Sequence, residues 1–345
     1  MIFWKTIIVD QRSDQVKTIR VALLGLGTVG KGVYHHLTTN RKRIEKEFGI
    51  TIDIATIIVK HPEKHHSFER KELISNDFQT ILDNPDIDVV IEAIIGREPA
   101  FSYLTKSIQA EKHIITANKE MFAFHGKELL HLANAYNVQV GFEATTAGGI
   151  PIIHTIKRLF QYNQISKLTA ILNGTSNYIL SEMRNNKLSF EEALQQAQQL
   201  GYAEANPTND IEGYDSFYKL MILSLLLYQE QPNWDYVKRK GISTITSKDI
   251  ANHTANRERI KLLAVLEKQN DNISARVEPL AIPESHPLYG VEGVQNAVIL
   301  EGSIVGEIML SGPGAGASPT ASAILEDLTF ILRTGLSTHI SPIYS

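Results

Sequence analysis

The sequence predicts an α/β protein: a mostly parallel, doubly wound sheet followed by a second unit of α+β type. Three observations carry that expectation. An apolar run at 19–24 leads straight into GLGTVG, with glycines at 25, 27 and 30, and then into a helical pattern reaching about residue 48. Further strand-like runs at 51–59, 88–94, 112–116 and 138–143 alternate with helical stretches, which is how strands joined by crossover helices read. After residue 228 the alternation stops, and 272–279 and 298–307 read as strands of a separate antiparallel sheet that could support a homodimer.

Composition bounds the function before any motif does. At 345 residues the chain has room for two domains, or one with a large insertion. Its charge of −4, with no basic stripe, argues against nucleic acid as a partner. The absence of cysteine excludes disulfides, zinc–thiolate sites and a thiol nucleophile, and is compatible with a reducing cytoplasm. No apolar run reaches the roughly 18 residues of a membrane span. Residues 1–17 read as an N-terminal extension without an assigned role.

The opening strand, glycine turn and helix give G-x-G-x-x-G its meaning. The glycines permit a tight turn and close backbone approach, and the helix N-terminus offers free N–H groups to a pyrophosphate. Residues 18–150 therefore read as a Rossmann-type dinucleotide-binding domain, with Gly25, Gly27, Thr28, Val29 and Gly30 as cofactor contacts. The alternative is a glycine-rich connection that merely packs helix on strand. An acidic residue at the tip of the second strand would take the ribose 2′-hydroxyl of NAD. That tip reads IIVKH (57–61), and Asp53 comes too early to serve. Lys60 suits a 2′-phosphate instead, so NADP is expected, with NAD left open; otherwise Lys60 and Lys64 are solvated loop charges.

Ile95 and Gly96 lie at the carboxyl edge of the 88–94 strand, where open α/β sheets bind ligands. Lys119 follows the next strand at the same edge, as a cofactor or substrate contact or as an ordinary lysine opening a helix. EATTAGGIP (143–151) closes this half. Its small residues leave backbone carbonyls free to turn inward as hard oxygen ligands.

The second unit, 151–311, begins with a helix at 152–160 and a strand at 165–172. Asn173, Thr175, Ser176 and Asn177 then open another helix, ordinarily as caps. Ser189 and Glu192 form a capping box and Gly201 is a helix stop. That delivers the chain to GYAEANPTNDIEGYDSFYKL (201–220), which packs Glu204, Asp210, Glu212, Asp215 and Lys219 together. If 213–228 is one helix, Asp215 and Lys219 stand i,i+4 on a face that MILSLLLY (221–228) drives into a core. A buried ammonium costs several kcal/mol unless paired. A stabilising pair is the plain reading, but the extra carboxylates point to a site. Residues 241–269 read as a connector and a helix. GPGAG (312–316) allows close backbone approach to a ligand, with Gly316 a cofactor contact, and Ser318-Pro319 opens a last helix.

The chemistry that fits is reversible hydride transfer between a nicotinamide ring and a small carbonyl compound. Negative charge develops on the carbonyl oxygen, and an ammonium held there stabilises it and supplies a proton. Lys219, held by Asp215, is the expected proton donor, with Lys119 near the reacting carbon. Glu204 suits a substrate amino group, and Asp210 would order the lysine network.

Five segments in order and spacing also resemble one family: TANKE (116–120), EATTAGGIPII (143–153), ILNGTSNYIL (171–180), GYAEANPTNDIEGYDSFYKL (201–220) and GPGAGASPTASA (312–323). From about residue 21 to 328 the chain is similar to homoserine dehydrogenases. Asn206 stands where that family usually has Asp, a change bearing on substrate affinity rather than reaction class. The resemblance implies L-homoserine and L-aspartate 4-semialdehyde as the substrate pair, a step of threonine and methionine biosynthesis. It implies a sodium-type cation on backbone oxygens of Glu143, Thr146, Gly148 and Ile150. It also implies that 312–345 returns to complete the nucleotide-binding domain. Many relatives carry a C-terminal ACT domain, and 330–345 is shorter than the roughly 50 residues an independent domain needs. The expectation is therefore a form without it and without cooperative inhibition by threonine. Another amino-acid or hydroxy-acid dehydrogenase, or a non-catalytic nucleotide-responsive binding protein, are the alternatives.

Overall fold

The computed structural model describes residues 17–335, apart from 271. The N-terminal sheet is built from β1 (Lys17–Leu24), β2 (Ile50–Ile58), β3 (Ile74–Ser75), β4 (Ile87–Glu92), β5 (His113–Thr116) and β6 (Val140–Gly141). Its order is β3-β2-β1-β4-β5-β6 and every pairing is parallel. Such a sheet is covered on both faces, so its strands are apolar at successive residues. In β1, Ile19, Val21 and Leu23 enter one core with Val33 and Leu37, while Ala22 and Leu24 enter another with Leu104, Ile108 and Phe122. The last helix, Ala317–Gly335, supplies Ala321, Ile324 and Leu328 to the first of these cores. The last helix thus packs back on this sheet.

The second sheet contains β7 (Ile165–Ile171), β8 (Lys238–Arg239), β9 (Glu258–Gln269), β10 (Asn272–Pro283), β11 (Gln295–Gly302) and β12 (Gly306–Pro313). Its order is β12-β11-β7-β9-β10-β8, antiparallel except for the short β8–β10 pairing. Two expectations are corrected here. The helix expected within 241–269 stops at Ala255, and 258–269 is the central strand β9. Residues 260–266 are buried without a break, with Leu262, Ala264 and Leu266 in one core and Leu263 and Val265 in another. That period of two belongs to a strand covered on both sides. The run at 298–307 is a hairpin rather than one strand, turning between Gly302 and Gly306, where φ is +76°.

Two glycine segments form the seam between the halves. Gly148 has φ +60°, and a Cβ there would stand 2.3 Å from the Gly314 carbonyl oxygen. A Cβ on Gly314 would stand 2.1 Å from the Asn296 side chain, and the Gly149 N–H donates to the Pro313 carbonyl at 3.0 Å. Gly314, in the middle of GPGAG, is thus packed tightly against the protein's own chain. No described helix is long and apolar enough to cross a membrane.

Candidate active site

The helix Tyr214–Tyr228 starts after Gly213, whose φ of +78° turns the chain sharply into it. Asp215 lies in the first turn and its side chain is 2% exposed. One turn on, the Lys219 ammonium lies 2.8 Å from Asp215 Oδ2 and donates to the Leu172 carbonyl at the end of β7, at 2.6 Å. The i,i+4 pairing expected from the sequence is present. A second lysine joins it: Lys119, first residue of the helix Lys119–Ala135, forms an ion pair with Asp215 Oδ1. Its side chain is 44% exposed against 8% for Lys219. Two ammonium groups from different halves of the chain thus share one carboxylate.

The electrostatics follow from that sharing. Burial alone would raise the Asp215 carboxyl, but Lys119, Lys219 and the Asn173 amide overrule it and hold it well below the usual carboxylate range. Burial lowers the Lys219 ammonium despite the pull of Asp215. Asp215 raises Lys119, with smaller help from Asp210 and Glu204. The buried lysine holds its proton loosely and the half-exposed one holds it firmly.

Asp210 reaches this group through Asn173. Its Oδ1 accepts from Asn173 Nδ2 at 2.7 Å, and the same amide nitrogen donates to Asp215 Oδ2 at 2.9 Å. Asn173 Oδ1 meanwhile caps the helix Gly174–Asn185 through the Ser176 N–H. Sequence reasoning recognised the cap and missed the bridge, because nothing local reveals that the free –NH₂ faces carboxylates 37 and 42 residues away. Burial first, and then the Asp215 charge, raise Asp210. Glu204 is exposed. Asn206 accepts from the Thr208 N–H and hydroxyl, a turn-forming role for its side-chain oxygen.

On the dinucleotide side, Gly25 has φ +98° and leaves no room for a Cβ against the Ala93 carbonyl. Gly27 precedes the helix Thr28–Thr39 without a side-chain cap, and the position of its absent Cβ opens onto free space. Gly30 packs so closely on the Gly25 carbonyl that a Cβ would lie 2.1 Å away. The tight turn and the close packing that the motif requires are thus present at Gly25 and Gly30. Lys60 lies two residues beyond the end of β2 and is exposed, whereas Asp53 sits in the first half of that strand. Ile95, 94% exposed, and Gly96, with φ +90°, form the lip beyond β4. Asn118 Nδ2 donates to the Ile94 and Gly96 carbonyls at 3.1 and 2.7 Å, so that lip is tied to the residue preceding Lys119. Gly316, at φ +120°, opens the last helix.

The 143–150 segment was expected to bind a cation through carbonyls. The Glu143 carboxylate turns away to cap the helix Ile152–Leu159 through the Ile153 and His154 N–H groups, at 2.9 and 2.7 Å. Its carbonyl accepts from the Thr146 N–H and hydroxyl, both at 3.5 Å. Among the described residues no hydrogen bond ends on the Thr146 or Gly148 carbonyl, while that of Ile150 accepts from Ile152 at 2.8 Å. No described group of His, Asp and Glu side chains is placed to hold a metal ion. A neutral carbonyl set suits an alkali cation and not a transition metal. A cavity of about 380 Å³ lies beyond Glu143, lined by His154, Arg158 and Glu326, and contains none of the lysine–carboxylate group.

Two family models cover nearly the whole chain: "Homoserine dehydrogenase, NAD binding domain" over 25–143 and "Homoserine dehydrogenase" over 151–329. A homoserine dehydrogenase of Bacillus subtilis is 40% identical over 319 residues, 92% of this chain and 74% of that protein. The crystal structure of a homoserine dehydrogenase from Thiobacillus denitrificans superposes with a TM-score of 0.90 at 40% identity, covering 94% of this chain and 76% of the other. A hyperthermophilic archaeal homoserine dehydrogenase in complex with NADPH gives a TM-score of 0.78 at 25% identity, covering 92% and 98%.

Replacing Asn173 with Ala removes the bridge between two carboxylates as well as a helix cap. The unfolding free energy should fall by about 1.5–3 kcal/mol, the range for hydrogen bonds to charged groups. Urea denaturation of both proteins measures it.

Proposed function

This chain belongs to the homoserine dehydrogenase family, and from that premise we propose how its residues divide the work. The enzyme interconverts L-aspartate 4-semialdehyde and L-homoserine with a nicotinamide dinucleotide. The observation that carries the assignment of roles is Asp215, buried and shared by Lys119 and Lys219 at the carboxyl edge of the parallel sheet.

When bound, the nicotinamide supplies or accepts the hydride at the substrate carbon. As the aldehyde is reduced, charge develops on its oxygen, and Lys219 gives that oxygen a proton from Nζ, becoming a neutral amine. In the reverse direction the amine takes the hydroxyl proton. Burial favours both steps, since it lowers the energy gap between ammonium and amine. Lys119 stays charged and stabilises the oxygen electrostatically. Asp215 positions both lysines, and Asp210 helps through Asn173. Glu204, which is exposed, takes the substrate amino group.

Gly25, Gly27, Thr28, Val29 and Gly30 hold the pyrophosphate, and Ile95, Gly96, Lys119 and Gly316 flank the rest of the cofactor. The free space at Gly27 and the uncapped helix beyond it support this reading. Lys60 receives a 2′-phosphate, making NADP the preferred cofactor; a relative described in complex with NADPH points the same way. The carbonyls of Glu143, Thr146, Gly148 and Ile150 hold a monovalent cation, sodium by preference, which ties the 143–150 turn to the seam. Residues 18–150 with 312–345 make the nucleotide-binding domain, 151–311 carry catalysis, and the second sheet forms a homodimer in the cytoplasm.

Lys219→Ala should lower turnover by roughly two to four orders of magnitude while NADPH still binds. Near-normal turnover, measured as NADPH oxidation with aspartate semialdehyde, would remove Lys219 from the reaction. Lys60→Ala should weaken NADP much more than NAD. Equal responses of the two KM values would show that Lys60 does not read the 2′-phosphate.

A further inference from the structure

Glu92 ends β4, beside Leu24 of β1 and Thr116 of β5, and is fully buried. No charged side chain among the described residues acts on it; Thr116, Asn118 and the Ile94 N–H are the groups that face it. A carboxylate in such a place is costly unless several donors satisfy it. Here Oε1 accepts from the Ile94 N–H at 2.6 Å and Oε2 from the Thr116 hydroxyl. Thr116 Oγ1 in turn accepts from the Asn118 N–H at 3.0 Å. Asn118 closes the ring by donating to the Ile94 and Gly96 carbonyls and by capping the helix that begins at Lys119.

We propose that Glu92 is a positioning residue for hydride transfer, its carboxylate locking the Ile95–Gly96 lip and the start of the Lys119 helix into one rigid corner. The proposal rests on the reading above, in which that lip flanks the cofactor and Lys119 stands at the reacting oxygen. The chemistry requires a carboxylate rather than its neutral relatives. Two donors converge on Glu92, and only a charged carboxylate accepts from both with both oxygens. A protonated acid must donate from one oxygen, which forces the Thr116 hydroxyl to turn its hydrogen elsewhere. A glutamine has the same defect permanently. The charged form is therefore the working one, and it is lost as pH falls through the Glu92 pKa, which burial pushes up to about 7.

Initial rates of NADPH oxidation from pH 6 to 9 test this on the full-length enzyme, with melting temperatures recorded alongside. Glu92→Gln should lower kcat/KM for NADPH by roughly ten- to a hundredfold, the scale of a small misplacement of reacting groups. The acid limb near neutrality should vanish with it. Thr116→Val, which removes one donor and leaves the carboxylate in place, should lower the same constant but keep the limb, moved to higher pH. Glu92→Gln with an unaltered constant and limb would overturn the proposal. So would a Thr116→Val profile identical to that of the wild type. Lys219→Ala measured in parallel separates the two levels: if it is inactive while Glu92→Gln is normal, only the Glu92 role fails. An active Lys219→Ala would sink the underlying reading and this proposal together.

Discussion

The site depends on one constraint, the burial of the Asp215 carboxylate between two ammonium groups. A lone charge at that depth would be neutralised or expelled. Two lysines give the cluster excess positive charge at its centre, and Asp210 and Glu204 return it towards balance from the rim. The Asn173 amide keeps the two aspartates apart without neutralising either. The consequence is a difference between the lysines, one with a weakened hold on its proton and one with a strengthened hold.

That arrangement needs both halves of the chain. Lys119 stands at the carboxyl edge of the parallel sheet, while Lys219 and Asp215 lie on a helix packed beside the second sheet. Their meeting within hydrogen-bonding distance requires the halves to be fixed closely. The seam achieves this by close approach at two glycines: Gly148 against the Gly314 backbone, and Gly314 against the Asn296 side chain. Side chains at either glycine would hold the halves apart. Near the seam, Glu143 adds a second fastening: its N–H donates to Asp327 Oδ2 on the last helix at 2.8 Å, and its carboxylate accepts from the Ile153 and His154 N–H groups that open the second half.

Much of this was legible in the sequence, where local patterns carry the information. The glycine turn, the alternating strands and the Asp215–Lys219 spacing are periodic or short-range features, and they stand where read. The 258–269 strand was misread because a run buried on both faces has no polar alternation, and a buried helix has none either. The sharing of Asp215 by Lys119, the bridge at Asn173 and the ring around Glu92 are long-range contacts. Each depends on how strands distant in sequence line up, so nothing at the residue itself announces it. The chemical roles were approachable from residue type alone; the partners were not.

The central claim is the inequality of the two lysines around one carboxylate. Titration of ¹³C-labelled lysine side chains by NMR, with Lys119→Arg and Lys219→Arg proteins to assign the signals, measures it directly. The account predicts Lys219 titrating below the ordinary lysine value and Lys119 above it, with Lys119 falling when Asp215 is replaced by Asn. Two lysines titrating together at the ordinary value, unaffected by Asp215→Asn, would contradict it.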